Sequence, residues 1–450
     1  MSSNPSQYLL DQAEQLVLAA QKAGADASDA RVGSSQSQGV EVRMGKVSES
    51  ERSESHAFVL RVFVGSRIAS ISANSLDNID VLAQRAVAMA KVSPENEFEA
   101  IANPDLLAQN IYEKINGLDL YDDKVISSGE LAKAALEMEA IALDVAGVTN
   151  SMGSNASFGS SGVVLVSSNG FSGAYQRSGY SRSISVVAGE GETMQRDYDY
   201  DSKIHFEDLN AVSKIAKSAA KRAVEKLNPR TVPSQAVNVI YDKRVSSGLL
   251  GHLCGAINGA SIARKSSFLK DDMGEKILNE SITINDDPHI KRGFNSWGFD
   301  GEGVESNPLT MVEKGVLKEW YLDIASANEM GLKTNGRGHR AGGNTSPGST
   351  NVSIAPGDVS IDDMIKQLGT GLLVTEMIGR GVNLITGDYS RGASGFWIEN
   401  GEIAYPVSEV TLADNLRDMF LKMTPASDFE YRRGMDAPSL MIEGMALAGK

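Results

Sequence analysis

Gly395-Phe-Trp-Ile-Glu-Asn-Gly-Glu-Ile-Ala-Tyr405 carries the strongest local structural signal in the chain. Its Asn400-Gly401 pair tolerates positive φ at both central positions of a type I′ turn, so the run reads as a β-hairpin. Outward from it lie a β run at 372–378 and helical stretches at about 322–332 and 360–368. Further back come the short β run Val237-Asn-Val-Ile-Tyr241 and a Gly-rich helical stretch at 245–257. From about Thr231 onward the chain therefore reads as α+β, with a mixed sheet built mainly from hairpins.

Upstream the texture changes and an order of elements occurs twice. Leu9, Ala13, Leu16, Val17 and Ala20 recur at helical spacing, with Gly24 at the expected stop. Short β-like runs follow, the clearest placing Phe58, Leu60, Val62 and Val64 on one strand face. A helix over about 77–91 then ends at Ser93-Pro94. After a polar connector, Leu131, Ala135, Met138, Ala142 and Val145 form a second helical stripe. Strand-like runs at 162–167, 173–187 and 194–200 follow, and a helix with Leu209, Val212, Ala216, Ala219 and Ala223 on one face closes the unit before Asn228-Pro229. The expected architecture is two helix–four-strand–helix units, at 1–95 and 127–229 with a connector at 96–126. A C-terminal α+β domain at 230–450 follows, and the units read as an internal structural repeat.

Composition narrows the function classes. The 450 residues include 43 Lys+Arg and 58 Asp+Glu, a net charge of −15, which disfavours phosphate-backbone binding by a general basic surface. No run approaches the ~18 apolar residues of a bilayer span. The opening Met-Ser-Ser-Asn-Pro-Ser-Gln has neither the basic nor the apolar region of a secretory signal, and a cytoplasmic protein is expected. A single cysteine, Cys254, excludes an intrachain disulfide framework.

Motif chemistry is sparse. His56, His205, His252, His289 and His339 are too far apart for an H-E-x-x-H helix face. His252 and Cys254 stand two apart on a helix and point about 200° away from each other, so they cannot chelate one ion. Asp197-Tyr-Asp-Tyr-Asp201 places three carboxylates on one strand face; a solvated acidic face is favoured over a calcium site because no EF-hand glycine or terminal Glu is present. Gly387-Asp-Tyr-Ser-Arg-Gly392 is one residue too long for a nucleophile elbow, which leaves Ser390 with Asp388 and a histidine only as a triad assembled in space. The Gly-rich run 336–343 carries Arg337 and Arg340, which could hold a carboxylate such as a peptide C-terminus; a surface loop is the plainer reading. No phosphate-cradling motif is present: Gly298-Phe-Asp-Gly-Glu-Gly303, like 336–343, is Gly-rich without the required spacing.

Three runs carry more: Val245-SSGLLGHLCGAINGASIARKSSF-268, Gly369-TGLLVTEMIG-379 and Gly387-DYSRGASGFWIENGEIAYPVSEVTLADNL-416. They resemble the PmbA (TldE) proteins, grouped with TldD in one superfamily and historically called modulators of DNA gyrase or peptide maturation proteins. TldD-type chains carry an H-E-x-x-x-H zinc helix. The corresponding stretch here, 246–259, contains Gly-Leu-Leu-Gly-His-Leu-Cys-Gly, without that Glu or the two-histidine spacing. The resemblance therefore implies the non-metal subunit of a TldD–TldE heterodimer. By the same resemblance the complex is expected to be a zinc metallopeptidase acting on small unfolded peptides, such as a microcin precursor or an unstructured antitoxin, with the zinc in the partner. It implies no catalytic or metal-binding residue in this chain, and Arg391, Phe396, Trp397, Arg337 and Arg340 are the candidates for the peptide path. Core packing is the plainer reading of Phe396 and Trp397. A peptide-binding scaffold homodimer and a self-sufficient peptidase are the alternatives. No direct nucleic-acid or membrane partner is expected.

Overall fold

Residues 5–449 are described by the computed structural model of the chain. Helix α1 (Pro5–Lys22) leads into strands β1 (Ala27–Arg43), β2 (Lys46–Val64) and β3 (Arg67–Ala73), and α2 (Ile79–Val92) closes the first unit. A connector containing α3 (Ile111–Leu118) precedes α4 (Ser128–Leu143), β4 (Val148–Ser167), β5 (Ser172–Ala188), β6 (Gln195–Lys203) and α5 (Val212–Glu225), which repeat the order. The class is α+β as read, but each unit has three strands where four were expected. The strands run to 20 residues. Segments such as Gly33-Ser-Ser-Gln-Ser-Gln-Gly39 lie inside a continuous ladder without any apolar alternation to mark them.

Both units contribute to one antiparallel sheet of order β3-β2-β1-β4-β5-β6, joined where β1 pairs with β4 from Asp29↔Ser167 to Val42↔Ser154. The helices cover one face with the apolar stripes already noted. Leu9, Ala13 and Leu16 pack with Ala86 and Val87 on Val32, Leu60 and Val62. Met138 and Ala142 pack with Ala216 and Ala219 on Ile184 and Val186. A capping box opens α4: Ser127 Oγ accepts from Glu130 N while the Glu130 carboxylate accepts from Ser127 N, an arrangement of about 1 kcal/mol. The C-terminal half covers part of the other face, where Leu165 packs with Phe171, Phe299 and Val304.

That half comprises β7 (Gln235–Tyr241), α6 (Lys243–Ala256), α7 (Gly259–Ala263), β8 (Ile284–Asp287), β9 (Leu309–Glu313), β10 (Val316–Leu317) and α8 (Ile324–Met330). It continues with β11 (Gly338–Ala341), β12 (Asn344–Pro347), β13 (Asn351–Ile354), α9 (Ile361–Leu368), β14 (Gly371–Ile378), β15 (Asp388–Glu399) and β16 (Glu402–Asn415). Last come α10 (Leu416–Lys422), β17 (Thr424–Pro425), β18 (Met435–Asp436) and β19 (Leu440–Ala448). Asn400 and Gly401 have φ of 54° and 76°, the positive pair that the β15–β16 turn requires. One sheet has the order β16-β15-β14-β7-β19-β17, and an additional β16–β19 pairing closes it on itself. Leu249, Leu250 and Leu253 of α6 belong to the same core as Val239, Leu372, Leu412 and Ile442. A smaller sheet runs β10-β9-β8-β13-β18. Among the described residues no helix is long and apolar enough to cross a membrane.

Candidate functional site

The acidic run on β6 organises a cleft between the two halves. Alternation holds, but its sense is the reverse of that expected: Asp197 and Asp201 are buried and Tyr198 is 47% exposed. The cause is a set of cations brought by other elements. Lys226 Nζ lies 2.8 Å from Asp197, Arg244 Nη2 lies 2.8 Å from it, and Arg222 Nη1 lies 3.4 Å from Asp199. Burial would raise the Asp197 carboxyl, but Arg244 and Lys226 outweigh it and hold the group below the usual carboxylate range. Two of these cations, with Arg432, also cap the edge of β6. Carbonyls of Arg196, Tyr198 and Tyr200 accept from Lys226, Arg244 and Arg432 at 3.5, 3.0 and 3.5 Å. This edge is therefore blocked by side chains, a common way of silencing an edge strand.

A different edge is open nearby. β7 pairs with β14 only at Leu372–Val374, while β14 continues along β15 to Ile378. From Thr375 onward that side of β14 has no partner strand among the described residues. Thr375, Glu376 and Met377 line a cavity of about 290 Å³ together with Lys226, Arg244, Gly248 and Arg391. A second cavity, of about 450 Å³, shares Asp197, Lys226, Arg244 and Thr375 with it and adds the apolar walls Leu373, Phe396, Ile403 and Tyr405. Glu376 holds Lys226 at 2.9 Å, fixing the wall between them.

Arg391 and Phe396 thus border this cleft. Trp397 is 5% exposed and packed in the C-terminal core. Arg337 is fully buried, its Nε 2.9 Å from Asp286 Oδ1, and it donates to the carbonyl of Asn307 at 2.7 Å. Arg340 pairs with Asp29, which also binds Arg61 at 2.7 Å. The segment carrying both arginines is no surface loop. Gly301 N donates to Gly338 O at 2.6 Å and Gly338 N donates to Asp300 Oδ2 at 2.9 Å, knitting the two Gly-rich runs together. A Cβ at Gly338 would stand 2.8 Å from Glu302 Oε2 and 3.0 Å from Asp300 Oδ2, so the glycine leaves room for both carboxyls.

Those two carboxyls escaped sequence reasoning, which read only glycines in the 298–303 run. Burial pushes Asp300 up to about 6, and burial together with Asp300 itself pushes Glu302 well above the usual range. The signal was two acids within a Gly-rich segment, but only the packed structure shows that both are buried.

The nucleophile and metal candidates are dispersed. Ser390 is exposed on β15, whereas its neighbour Tyr389 is buried and faces the His252 ring at 6.1 Å. Strand alternation therefore points Ser390 away from the histidine. Asp388 is engaged by Thr386 Oγ1 at 2.6 Å. His205 is held by Asp119 O at 2.9 Å, His339 lies against Trp297 at 4.7 Å, and His56 is exposed. Burial and the Arg391 charge lower the basicity of His252. Burial pushes the Cys254 thiol up to about 12, with Tyr321 its hydroxyl neighbour at 3.7 Å. Among the described residues no three His, Cys, Asp or Glu side chains are grouped to hold a metal ion. A catalytic zinc, with its three protein ligands, does not fit this donor set.

Family models match nearly the whole chain: the PmbA/TldA metallopeptidase domain 1 at 28–90, central domain at 121–227 and C-terminal domain at 234–449. The chain belongs to the PmbA/TldD metallopeptidase family. It is 35% identical over 446 residues to metalloprotease PmbA of Escherichia coli O157:H7, covering 98% of this chain and 96% of that protein. It is 34% identical to the PmbA homologue of Haemophilus influenzae, covering 91% and 89%. Among solved structures, a Bacteroides thetaiotaomicron protein described as a modulator of DNA gyrase superposes with a TM-score of 0.90 at 27% identity, covering both chains completely. TldE of Thermococcus kodakarensis shares the fold, with a TM-score of 0.84 at 21% identity over 97% of this chain and 99% of its own. Within the matched C-terminal domain, helix α6 carries one histidine, His252, which feels the charge of Arg391.

Proposed function

We propose that this chain is the non-metal subunit of a TldD–TldE-type heterodimeric zinc metallopeptidase that cleaves small unfolded peptides. In this reading zinc and its activating Glu belong to the partner, and this subunit shapes the cavity and access path. The observation that carries it is the environment of α6. There His252 faces Tyr389 and lies near the Arg391 cation, and among the described residues no three His, Cys, Asp or Glu side chains are grouped to hold a metal ion. The open side of β14 supports a role with extended substrates, because free backbone groups pair a peptide strand with little regard to its sequence. Leu373, Phe396 and Ile403 offer apolar contact next to that edge. A cytoplasmic site of action and an indirect connection to gyrase, through peptides rather than DNA, belong to the same proposal; the net charge of −15 supports the second part.

The test uses this chain alone, a TldD-type chain alone and the two mixed. Metal content and cleavage of an unstructured peptide are measured for each. Zinc confined to the TldD-type chain, with cleavage only in the mixture, is expected. Stoichiometric zinc in this chain, or cleavage by it alone, would overturn the proposal.

A further inference from the structure

Charge in the smaller cavity is arranged unlike charge in the chain as a whole. Four cations line it (Arg196, Lys226, Arg244 and Arg391) against two carboxylates, Asp197 and Glu376. In a chain of net charge −15 this is a local positive excess. Three of the cations are spoken for: Lys226 bridges Asp197 and Glu376 at 2.8 and 2.9 Å, Arg244 holds Asp197 at 2.8 Å, and Arg196 lies 3.5 Å from Glu376. Arg391 is different. Among the described residues no carboxylate lies within 4.0 Å of it, and its Nε is buried without a hydrogen-bond acceptor. Thr375 Oγ1, which lines the same cavity, is also buried and unpartnered. The phenol of Tyr389, which accepts from Arg391, supplies no charge to balance it.

A guanidinium with an unused donor, in a partly desolvated cavity that already has a positive excess, calls for an anion. Planar carboxylate matches the guanidinium fork in shape and charge. The open backbone of Thr375–Met377 runs along the same cavity, so the anion belongs on an extended chain. We infer that Arg391 is the anchor for a carboxylate of the peptide that lies along β14, with the Thr375 hydroxyl as second donor. This inference deepens the peptide-path reading above and rests on it. The carboxylate source is either the peptide C-terminus or an acidic side chain. An apolar residue of the peptide can reach the adjoining cavity past Thr375, which lines both.

Three tripeptides test the anchor by calorimetric titration into the isolated full-length chain: acetyl-Ala-Ala-Leu as the free acid, the same peptide as the amide, and acetyl-Ala-Ala-Glu amide. A charge-assisted bond in a partly buried site should make a carboxylate peptide bind about ten-fold or more tighter than the neutral amide. Preference for the free acid assigns a chain terminus, and preference for the Glu peptide assigns a side chain. Arg391→Gln should erase the preference, and Arg391→Lys should keep part of it as a point charge. Circular dichroism and melting temperature establish that each variant is folded. Equal affinity for acid, Glu peptide and neutral amide, including no binding of any, overturns the anchor. So does a preference that survives in a folded Arg391→Gln chain. These outcomes are separable from the subunit proposal. A lost anchor with cleavage intact in the two-chain mixture removes only Arg391's role. A carboxylate preference without partner-dependent cleavage removes only the subunit reading.

Discussion

Asp197→Asn is the most informative single change, because one carboxylate joins β6, α5 and α6 at the cleft. Asp197 and Lys226 side chains are 1% and 8% exposed, and Arg244 is 10% exposed. Removing one member of a buried ion pair leaves the other uncompensated and costs about 3–5 kcal/mol. Lys226 retains Glu376 at 2.9 Å and Arg244 retains the Tyr198 carbonyl at 3.0 Å, so the low end, about 3 kcal/mol, is expected. For a cooperative unit of some 150–250 residues this lowers the melting temperature by about 6–12 °C. Scanning calorimetry of both proteins measures it. The pH dependence supplies a sign. Because the folded-state pKa of Asp197 is depressed, its contribution is complete above the unfolded value of about 3.9. It is lost as pH falls through the folded value, so the gap between wild type and variant should be full at pH 7 and shrink below about pH 4. Lys226→Met should also cost less in the Asp197→Asn background than alone, with a coupling of about 1 kcal/mol or more. A drop of less than about 2 °C at pH 7, corresponding to under 1 kcal/mol, or additivity of the two changes, refutes the reasoning.

Arg337→Met should destabilise the C-terminal half by about 3–5 kcal/mol, since it strands the fully buried Asp286; tryptophan-detected denaturant unfolding measures this, and a loss below about 1 kcal/mol contradicts it. Cys254, its thiol pushed up to about 12 by burial, should resist iodoacetamide at pH 8 in the folded chain and react once guanidinium unfolds it. Rapid native labelling would show the thiol to be accessible. Glu302 and Asp300 are carboxyls whose folded-state pKa values are raised, so the folded form binds more protons and stability at this pair falls as pH rises above about 4. Glu302→Gln, in the packed neutral shape, should therefore gain stability relative to wild type at pH 8 and lose that advantage toward pH 4, as melting temperatures across that range will show.

Helices and the central hairpin were legible because local physics decides them. The α1 stripe of Leu9, Ala13, Leu16, Val17 and Ala20 is buried residue for residue, and Asn400-Gly401 turns the chain with the φ pair that only such residues hold cheaply. Strand extent was not legible, because inter-strand hydrogen bonds support Ser- and Gly-rich segments that have no hydrophobic signature. Charge placement failed for a related reason. Alternation in Asp197-Tyr-Asp-Tyr-Asp201 fixes which residues share a face but not which face is buried, and that was decided by Lys226, Arg222 and Arg244 from distant segments. Arg391 and Phe396 could be singled out in sequence only through a family-like run. The cleft they border depends on where β7 stops pairing with β14, at Val374, which no local pattern records.

The seam between β1 and β4 imposes a wait during synthesis. Ser28 and Ser168, hydrogen-bonded across that seam, are 140 positions apart, so at roughly 5–20 residues per second the ribosome needs about 7–28 s to deliver the second strand. For the later part of that interval, once Lys46–Val64 has been made, a nascent chain with the β1–β2 hairpin formed carries a long unsatisfied ladder, the type of template that recruits neighbouring polypeptides. Serine, glutamine and glycine fill the centre of β1 from Gly33 to Gly39. They leave the waiting ribbon polar and poorly suited to a dry zipper with a second nascent chain. The stretch least visible as a strand is thereby the one that keeps the strand safe until its partner is made.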